Sequence, residues 1–165
     1  MPTPLLYQMQ TPSPLGEILL AANDTGLAGI WFVHDQAHMP DNRPWLTNDQ
    51  HPNLLSTAEQ LKAYFSGQRK TFDLNLATTW GTPFQHRVWQ ALTQIPYGQT
   101  TSYGQIAQAM GNPKAVRAVG AAIGQNPHSI VVPCHRVLGA KGALTGFSGG
   151  MHRKQYLLQH EATHT

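Results

Sequence analysis

The hydrophobic pattern of the chain changes near residues 77–81, and this change limits the possible folds more than any other feature. Before it, apolar residues form short runs: residues 15–22 and 27–33 flank an Asn-Asp-Thr-Gly sequence, which is typical of an antiparallel hairpin. After it, apolar residues recur at helical spacing behind capping motifs. A chain of 165 residues can fill two small cores. We therefore predict an α+β protein with domains at residues 1–76 and 82–165, joined by a linker at residues 77–81.

The first domain is predicted to be a small scaffold of an antiparallel sheet and one helix. Residues 34–53 are rich in Pro, Asn, Asp and His and predict a long surface loop. We interpret its histidines as solvated side chains and not as a metal site; they are His34, His38 and His51. Ser56-Thr57-Ala58-Glu59 has the form of a capping box and predicts a helix that ends at Gly67. The predicted inward side chains of this helix are Ala58, Leu61, Tyr64 and Phe65. Residues 71–76 predict one more strand, with Phe72, Leu74 and Leu76 facing inward.

Two further capping boxes open helices in the second domain. Thr82 and Gln85 enclose a proline at the first helical position, and Ser102 and Gln105 form the other pair. The first of these helices has an inward stripe of Phe84, Val88, Leu92 and Ile95, and the second ends at Gly111. Because Asn112-Pro113 is then expected to cap a helix over residues 114–124, two short helices follow each other across a tight turn, as in a helix-turn-helix.

The helix over residues 114–124 has an unusually bare outer face. Its spacing turns one set of residues towards the core: Val116, Val119, Gly120 and Ile123. The outward set is Lys114, Arg117, Ala118 and Ala121. Small residues allow the backbone to approach another molecule closely, and Arg117 is then free to enter the contact. This favours nucleic-acid binding, and a helix buried between two domains is the alternative.

Charge is divided unevenly between the two halves. Residues 1–80 hold four Lys/Arg and seven Asp/Glu, a net charge of −3, whereas residues 81–165 hold seven Lys/Arg and one Glu, a net charge of +6. The basic second half favours a polyanionic partner, and a merely basic surface is the alternative. No apolar run approaches the ~20 residues that span a bilayer, and the first residues do not have the pattern of a signal peptide. We expect a cytoplasmic protein.

The single cysteine, Cys134, lies between the apolar run of residues 130–132 and His135. With no partner for an internal disulfide, it is either an inert core residue or a nucleophile. A final helix over about residues 151–160 puts Glu161 on the same stripe as Lys154, Leu157 and Leu158. A buried carboxylate needs a partner, for which His135 or an arginine is the candidate. The resulting Cys-His-acid set suits nucleophilic catalysis, including that of hydrolases.

Three segments of the second half together resemble the O6-alkylguanine-DNA alkyltransferases, also called methylated-DNA-protein-cysteine methyltransferases. They are Pro133-Cys134-His135-Arg136-Val137, the Gly-Asn-Pro-Lys-Ala-Val-Arg-Ala-Val-Gly run of residues 111–120, and Ser148-Gly149-Gly150. Their order and spacing match the family over about residues 82–161, whereas the first half resembles it only in size and α+β pattern. The resemblance implies a winged helix-turn-helix domain that binds double-stranded DNA without a cofactor.

The resemblance also implies a role for each site residue. Cys134 takes the alkyl group from the O6 atom of a damaged guanine, once per molecule, and His135 and Glu161 activate it through a bridging water. Asn126 stabilises the turn before the nucleophile. Tyr103 crowds a phosphate, helps to rotate the nucleotide and can protonate the leaving base. The DNA-binding residues are Lys114, Ala115, Arg117, Ala118, Ala121 and Tyr103, with Arg117 replacing the extruded guanine in the stack. Val137, Phe147, Ser148 and Lys154 surround the base.

Base flipping gives a physical reason for this set of residues. A thiol held in a protein cannot reach an alkyl carbon inside a duplex, and extrusion of the base costs about a few kcal/mol. A small-residue helix in the minor groove with one inserted side chain can offset that cost. The minor groove carries a degenerate hydrogen-bond pattern, which predicts weak sequence preference.

The sequence departs from the family pattern at two points. Phe147 stands where many relatives have tyrosine, and the first half has no cysteines, so we predict no structural zinc. We expect a monomer that can cluster on DNA, with O4-alkylthymine as a possible second substrate. The alternatives are a lesion sensor or DNA-binding regulator of the same fold that does not repair, and a Cys-His hydrolase.

Overall fold

A computed structural model describes residues 5–40 and 43–165. The first four residues of the predicted scaffold domain, and residues 41–42 of the predicted loop, lie outside this description. A four-stranded sheet forms the first half in the spatial order β3-β2-β1-β4. Its strands are β1 (Tyr7–Thr11), β2 (Ile18–Asn23), β3 (Gly26–Phe32) and β4 (Leu46–Thr47). Strand β2 pairs antiparallel with both β1 and β3, and β4 runs parallel to β1. The predicted β2–β3 hairpin is present, whereas β1 and β4 were not predicted.

Local turn chemistry explains the hairpin. The Asn23 side-chain oxygen accepts hydrogen bonds from the backbone nitrogens of Thr25 and Gly26, at 2.9 and 3.1 Å, which closes the turn as an Asx motif. Nearly every residue of β2 and β3 is buried, because one face of the sheet packs against a helix and the other against a tryptophan cluster. That cluster contains Trp31, Trp45 and Trp80.

Helix α1 (Pro52–Phe65) starts earlier than predicted. The expected capping box at residues 56–59 is wrong, because Ser56 lies inside the helix. His51 is the N-cap: its Nδ1 atom accepts from the Asn53 backbone nitrogen at 3.2 Å, and its Nε2 atom lies 3.1 Å from Asp24 Oδ1. His51 is therefore buried and is not the solvated loop side chain that we expected. Of the predicted inward residues, Leu61 and Tyr64 are fully buried, while Ala58 and Phe65 are half-buried.

Two irregular segments cover the outer edge of β3. The strand predicted over residues 71–76 is absent: Phe72 and Leu74 pack on the core, but Leu76 is 37% exposed. Leu27 donates to Asn75 O and accepts from Ala77 N, at 2.8 and 2.7 Å, while Ile30 N donates to Pro127 O at 2.8 Å. Backbone groups of a free sheet edge need such partners. The hydrogen bond between Ile30 and Pro127 holds the chain just before the cysteine segment against the first sheet.

The second half is mostly helical. Its helices are α2 (Pro83–Leu92), α3 (Tyr103–Ala109), α4 (Val116–Gly124) and α5 (Met151–Thr163). Both predicted capping boxes are present, Thr82 with Gln85 and Ser102 with Gln105. Two short parallel strands, β5 (Thr101–Ser102) and β6 (Val137–Leu138), join the start of α3 to the segment after the cysteine. The α+β fold with a helical second domain is thus confirmed.

Helix α4 differs from its prediction at the N-terminus. It begins at Val116, its N-cap is Ala115, and no side chain caps it, so Asn112-Pro113 does not have the expected capping role. Residues 110–115 form a longer connection than the predicted tight turn. Val116 is 39% exposed and does not face the core, whereas Val119 and Ile123 are buried as predicted.

A buried apolar cluster between α2, α3 and α4 includes Cys134. A second cluster joins the first sheet, α1 and Leu157 of α5. Phe147 packs against both clusters. None of the helices in the described part of the chain is long and apolar enough to span a membrane.

Candidate active site

Cys134 opens a 3-10 turn, Cys134–Arg136, directly after a compact loop. Asn126 holds this loop: its Nδ2 atom donates to Val132 O at 2.9 Å and its Oδ1 atom accepts from His128 N at 2.9 Å. Ile130 has a φ of 74°, a left-handed conformation that a β-branched residue rarely adopts. Such strain persists only where surrounding contacts enforce it. The loop therefore presents Cys134 in one conformation.

His135 and Glu161 form a buried pair next to the cysteine. His135 Nε2 lies 2.7 Å from Glu161 Oε2, and both side chains are almost inaccessible to solvent. A carboxylate only accepts hydrogen bonds, so Nε2 carries the hydrogen and the lone pair of a neutral ring lies on Nδ1. That Nδ1 atom is buried and has no hydrogen-bond partner among the described residues. His135 thus has a free acceptor for a proton.

Arg136 is the second partner of the carboxylate. Its Nε and Nη2 atoms donate to the two Glu161 oxygens at 2.8 and 3.0 Å, and its Nη1 atom donates to Ile95 O at 2.7 Å. Tyr64 and the Gly98 backbone nitrogen add two further donors. The prediction that buried Glu161 would pair with His135 or an arginine is confirmed, because it pairs with both.

These contacts set the charges of the pair. Burial raises the pKa of Glu161, but the hydrogen bonds from His135 and Arg136 outweigh it and hold that pKa well below the usual range. Burial lowers the pKa of His135, and the neighbouring Glu161 offsets only part of this decrease. A neutral imidazole beside an anionic carboxylate is the resulting state near neutral pH.

Cys134 is buried and its thiol is protonated at rest. Burial raises the pKa of Cys134, while the Asn126 side chain and the Lys154 ammonium act in the opposite direction. Lys154 is fully buried and donates to Val137 O and Thr145 O at 2.6 and 2.9 Å. Burial lowers the pKa of Lys154 to about 8. A thiol in this setting needs a nearby base before it can act as a nucleophile.

A cavity of about 510 Å³ lies over Cys134. Helices α3 and α4 form one wall, the loop of residues 139–148 a second, and residues 37–38 of the first domain a third. The lining residues include Tyr103, Val116, Gly120, Cys134, Phe147 and Ser148. The loop is fixed at several points: Ser148 Oγ donates to Gly124 O, Thr145 Oγ1 donates to Tyr103 Oη at 3.2 Å, and Ala37 N donates to Ser148 O at 2.7 Å. The cavity is large enough for a flat heterocycle.

Arg153 joins Gly149, the residue that follows this loop, to the first domain. Its Nη1 atom donates to His34 O and Gly149 O at 2.6 and 3.0 Å, and its guanidinium carbon lies 4.4 Å from the centre of the Phe32 ring. A Cβ atom at Gly149 would lie 2.7 Å from the Phe147 ring and 2.9 Å from the Phe32 ring. Only glycine fits there without displacement of these rings.

The predicted site residues fall into three places. Cys134, Tyr103, Phe147 and Ser148 line the cavity, with Asn126, His135 and Glu161 behind the cysteine. Val137 and Lys154 are fully buried and support the loop from behind instead of lining the cavity. Lys114, Arg117, Ala118 and Ala121 are exposed on the outer side, with Ala115 half-buried. Tyr64, Arg136 and His38 also belong to the site but were not among its predicted residues; the buried hydroxyl of Tyr64, which needs a partner, was the available signal.

Two family models match the chain. One, described as "6-O-methylguanine DNA methyltransferase, DNA binding domain", matches residues 83–163. The other, described as "6-O-methylguanine DNA methyltransferase, ribonuclease-like domain", matches residues 6–78. A methylated-DNA-protein-cysteine methyltransferase of Methanosarcina acetivorans is 45% identical over 158 residues, which are 96% of this chain and 99% of the relative. This chain belongs to the 6-O-methylguanine DNA methyltransferase family.

Solved structures agree with this family over both halves. The crystal structure of Mycobacterium tuberculosis O6-methylguanine methyltransferase is 42% identical with a TM-score of 0.87, and the match covers 98% of this chain and 95% of that one. The crystal structure of OGT from the same organism in complex with DNA is 41% identical with a TM-score of 0.84, with the same coverage. The methyltransferase family resemblance therefore extends to the first half, where the sequence had suggested a likeness only in size and pattern. Among the described residues, no group of three or more His, Cys, Asp or Glu side chains could hold a metal ion.

Proposed function

We propose that this protein repairs alkylated DNA by direct reversal: Cys134 takes the alkyl group from O6-alkylguanine and keeps it. The observation that carries this proposal is the buried thiol at the base of a cavity, next to a neutral imidazole whose Nε2 atom is held 2.7 Å from Glu161. The relatives in the same family are named as methylated-DNA-protein-cysteine methyltransferases.

The transfer is a substitution at the alkyl carbon. His135 Nδ1 takes the Cys134 proton through a bridging water, and the thiolate forms a sulfur–carbon bond as the carbon–O6 bond breaks. The bonding electrons leave with the guanine, which takes up a proton; the Tyr103 hydroxyl at the cavity wall is the proposed donor. A thioether is not readily hydrolysed, so each chain acts once.

The outer face of α4 is the proposed DNA contact. Arg117, Ala118 and Ala121 are exposed there, and the same helix lines the cavity with Val116 and Gly120. One helix therefore faces both solvent and the cavity, so a side chain inserted into the duplex and a base extruded into the cavity lie on neighbouring surfaces. Arg117 is the proposed intercalating residue, and Lys114 and Ala115 lie at the N-terminal end of this surface. The partner is double-stranded DNA, bound by a monomer in the cytoplasm.

Stoichiometry tests the proposal. Duplex DNA with one O6-methylguanine is added in increasing excess, and the lesion that remains is measured after digestion to nucleosides. We expect the loss of one lesion per chain and no more, with normal guanine as the product. Binding without any loss of lesion would contradict the proposal and select a sensor, and loss of many lesions per chain would select a catalyst with turnover.

A further inference from the structure

Tyr64 links the first domain to the buried Glu161 carboxylate. It lies in α1, 97 residues before Glu161, and its hydroxyl donates to Glu161 Oε2 at 2.7 Å. The tyrosine is fully buried. Within residues 5–40 and 43–165, it is the one side chain of the first domain that hydrogen-bonds to Cys134, His135 or Glu161. Its contact therefore joins two domains at the point where the proposed chemistry takes place.

We propose that Tyr64 is a positioning residue for alkyl transfer: its hydroxyl fixes the Glu161 oxygen that orients the His135 ring. This inference rests on the proposed function. The geometry favours it because Oε2 accepts from His135 at 2.7 Å, Tyr64 at 2.7 Å and Arg136 at 3.0 Å. Three donors around one oxygen leave it little freedom to rotate, and the imidazole that it holds is fixed in one tautomer.

Tyr64 is itself held firmly from both sides of the domain boundary. His160 Nε2 lies 2.8 Å from its backbone oxygen, and its ring contacts Phe72 and Tyr97 at centroid distances of 5.6 and 6.2 Å. Burial and the neighbouring Glu161 raise the pKa of Tyr64 far above its usual value, which favours the protonated hydroxyl that donates to the carboxylate. The charged or titratable groups that face the His135–Glu161 pair are Tyr64, Tyr97, Cys134, Arg136 and Lys154.

Tyr97 provides a matched control. Its hydroxyl is also buried near Glu161, but it has no hydrogen-bond partner among the described residues. Its ring contacts Tyr64, and the Arg136 guanidinium lies 5.6 Å from its centre; phenylalanine keeps both contacts. Tyr64→Phe and Tyr97→Phe therefore each remove one buried phenolic oxygen from the same cluster, and only the first removes a donor to the carboxylate.

The experiment measures single-turnover transfer from an O6-methylguanine duplex at saturating DNA between pH 5 and 9, together with the DNA dissociation constant. For Tyr64→Phe we expect a transfer rate roughly tenfold lower, because general-base assistance is worth about 10²- to 10⁴-fold and only its alignment is weakened. DNA affinity should stay within about twofold, since Tyr64 is fully buried and is not part of the exposed face of α4. The acid limb of the pH profile should move up by about half a unit to one unit, because Glu161 attracts the His135 proton more strongly once it has lost a donor.

The Tyr97→Phe variant should match the wild type in rate, affinity and pH profile. An unchanged rate and pH profile for Tyr64→Phe, or equal changes in both variants, would overturn the inference, since a purely structural role lowers stability without moving the acid limb. If the wild type transfers no alkyl group, the proposed function fails first. The ¹⁵N shifts of the His135 ring across the same pH range test the structural part of the inference separately, namely that Tyr64 acts on His135 through Glu161: a higher midpoint in Tyr64→Phe than in the wild type and Tyr97→Phe supports this coupling, and coincident midpoints refute it.

Discussion

His128 makes the loop before Cys134 sensitive to acid. Its ring is buried, and its Nε2 atom donates to Leu27 O of the first sheet at 2.7 Å, beside the backbone contact between Ile30 and Pro127. Burial lowers the pKa of His128 from 6.5 to about 4, although the Leu27 hydrogen bond opposes this shift. A protonated ring is therefore disfavoured in the folded state.

The sign and size of the effect follow from linkage. Between pH 6.5 and 4 the unfolded chain binds a proton at His128 that the folded chain does not, so acid favours unfolding. The neutral ring contributes stability that is present above about pH 6.5 and is lost as the pH falls towards 4. At 1.36 kcal/mol for each pKa unit, a pKa lower by about 2.5 units corresponds to a loss of about 3 kcal/mol between pH 7 and pH 4.

Urea unfolding of the wild type and His128→Gln at pH 7, 5.5 and 4 measures this contribution. Glutamine does not titrate, and its Nε2 atom can still donate to Leu27 O. The variant should start less stable at pH 7 but lose about 3 kcal/mol less than the wild type on acidification. Glu161 titrates in both proteins, so its contribution cancels in the difference. Parallel losses in the two proteins would refute the account of His128.

Three further substitutions test other parts of the site. Arg117→Ala should weaken binding or slow repair in duplex DNA while reaction with free O6-benzylguanine changes much less; equal losses on both substrates would mean that Arg117 supports the fold. Glu161→Gln should slow single-turnover transfer because His135 loses its orienting acceptor, and an unchanged rate would remove Glu161 from the mechanism. The same substitution should lower the unfolding free energy by about 3–5 kcal/mol, because Arg136 is left buried without its anion. Lys154→Met should cost about 1–3 kcal/mol in urea unfolding because it leaves buried carbonyls unpaired, and a loss below about 0.5 kcal/mol would show that these carbonyls find other donors.

Local chemistry explains which parts of the fold could be predicted from the sequence. The capping boxes at Thr82 and Ser102 are correct because the donors and acceptors lie within four residues of each other. The capping box predicted at Ser56 is wrong, because the helix starts earlier, at the N-cap His51. That cap depends on Asp24, a residue 27 positions away. The strand predicted from the alternation of residues 71–76 is also wrong. Phe72 and Leu74 pack on a core that exists only once the sheet has folded.

In the candidate site, too, local patterns predict some contacts and others depend on how distant elements pack. The pairing of Glu161 could be predicted because helical spacing placed a lone acid among leucines, and a buried carboxylate needs partners. The need of the buried Tyr64 hydroxyl for a partner could be predicted, but its pairing with Glu161 could not, because that depends on how α1 packs against α5. The position of Lys154 behind the loop likewise follows from its carbonyl acceptors at Val137 and Thr145, which no local pattern reveals.

Mass spectrometry after reaction with an O6-methylguanine duplex tests the central claim most directly. The account predicts that the intact protein gains one methyl group, that peptide mapping places it on Cys134, and that Cys134→Ser gains none while still binding the duplex. An unmodified protein after complete mixing with the damaged DNA, or a methyl group on any other residue, would contradict it.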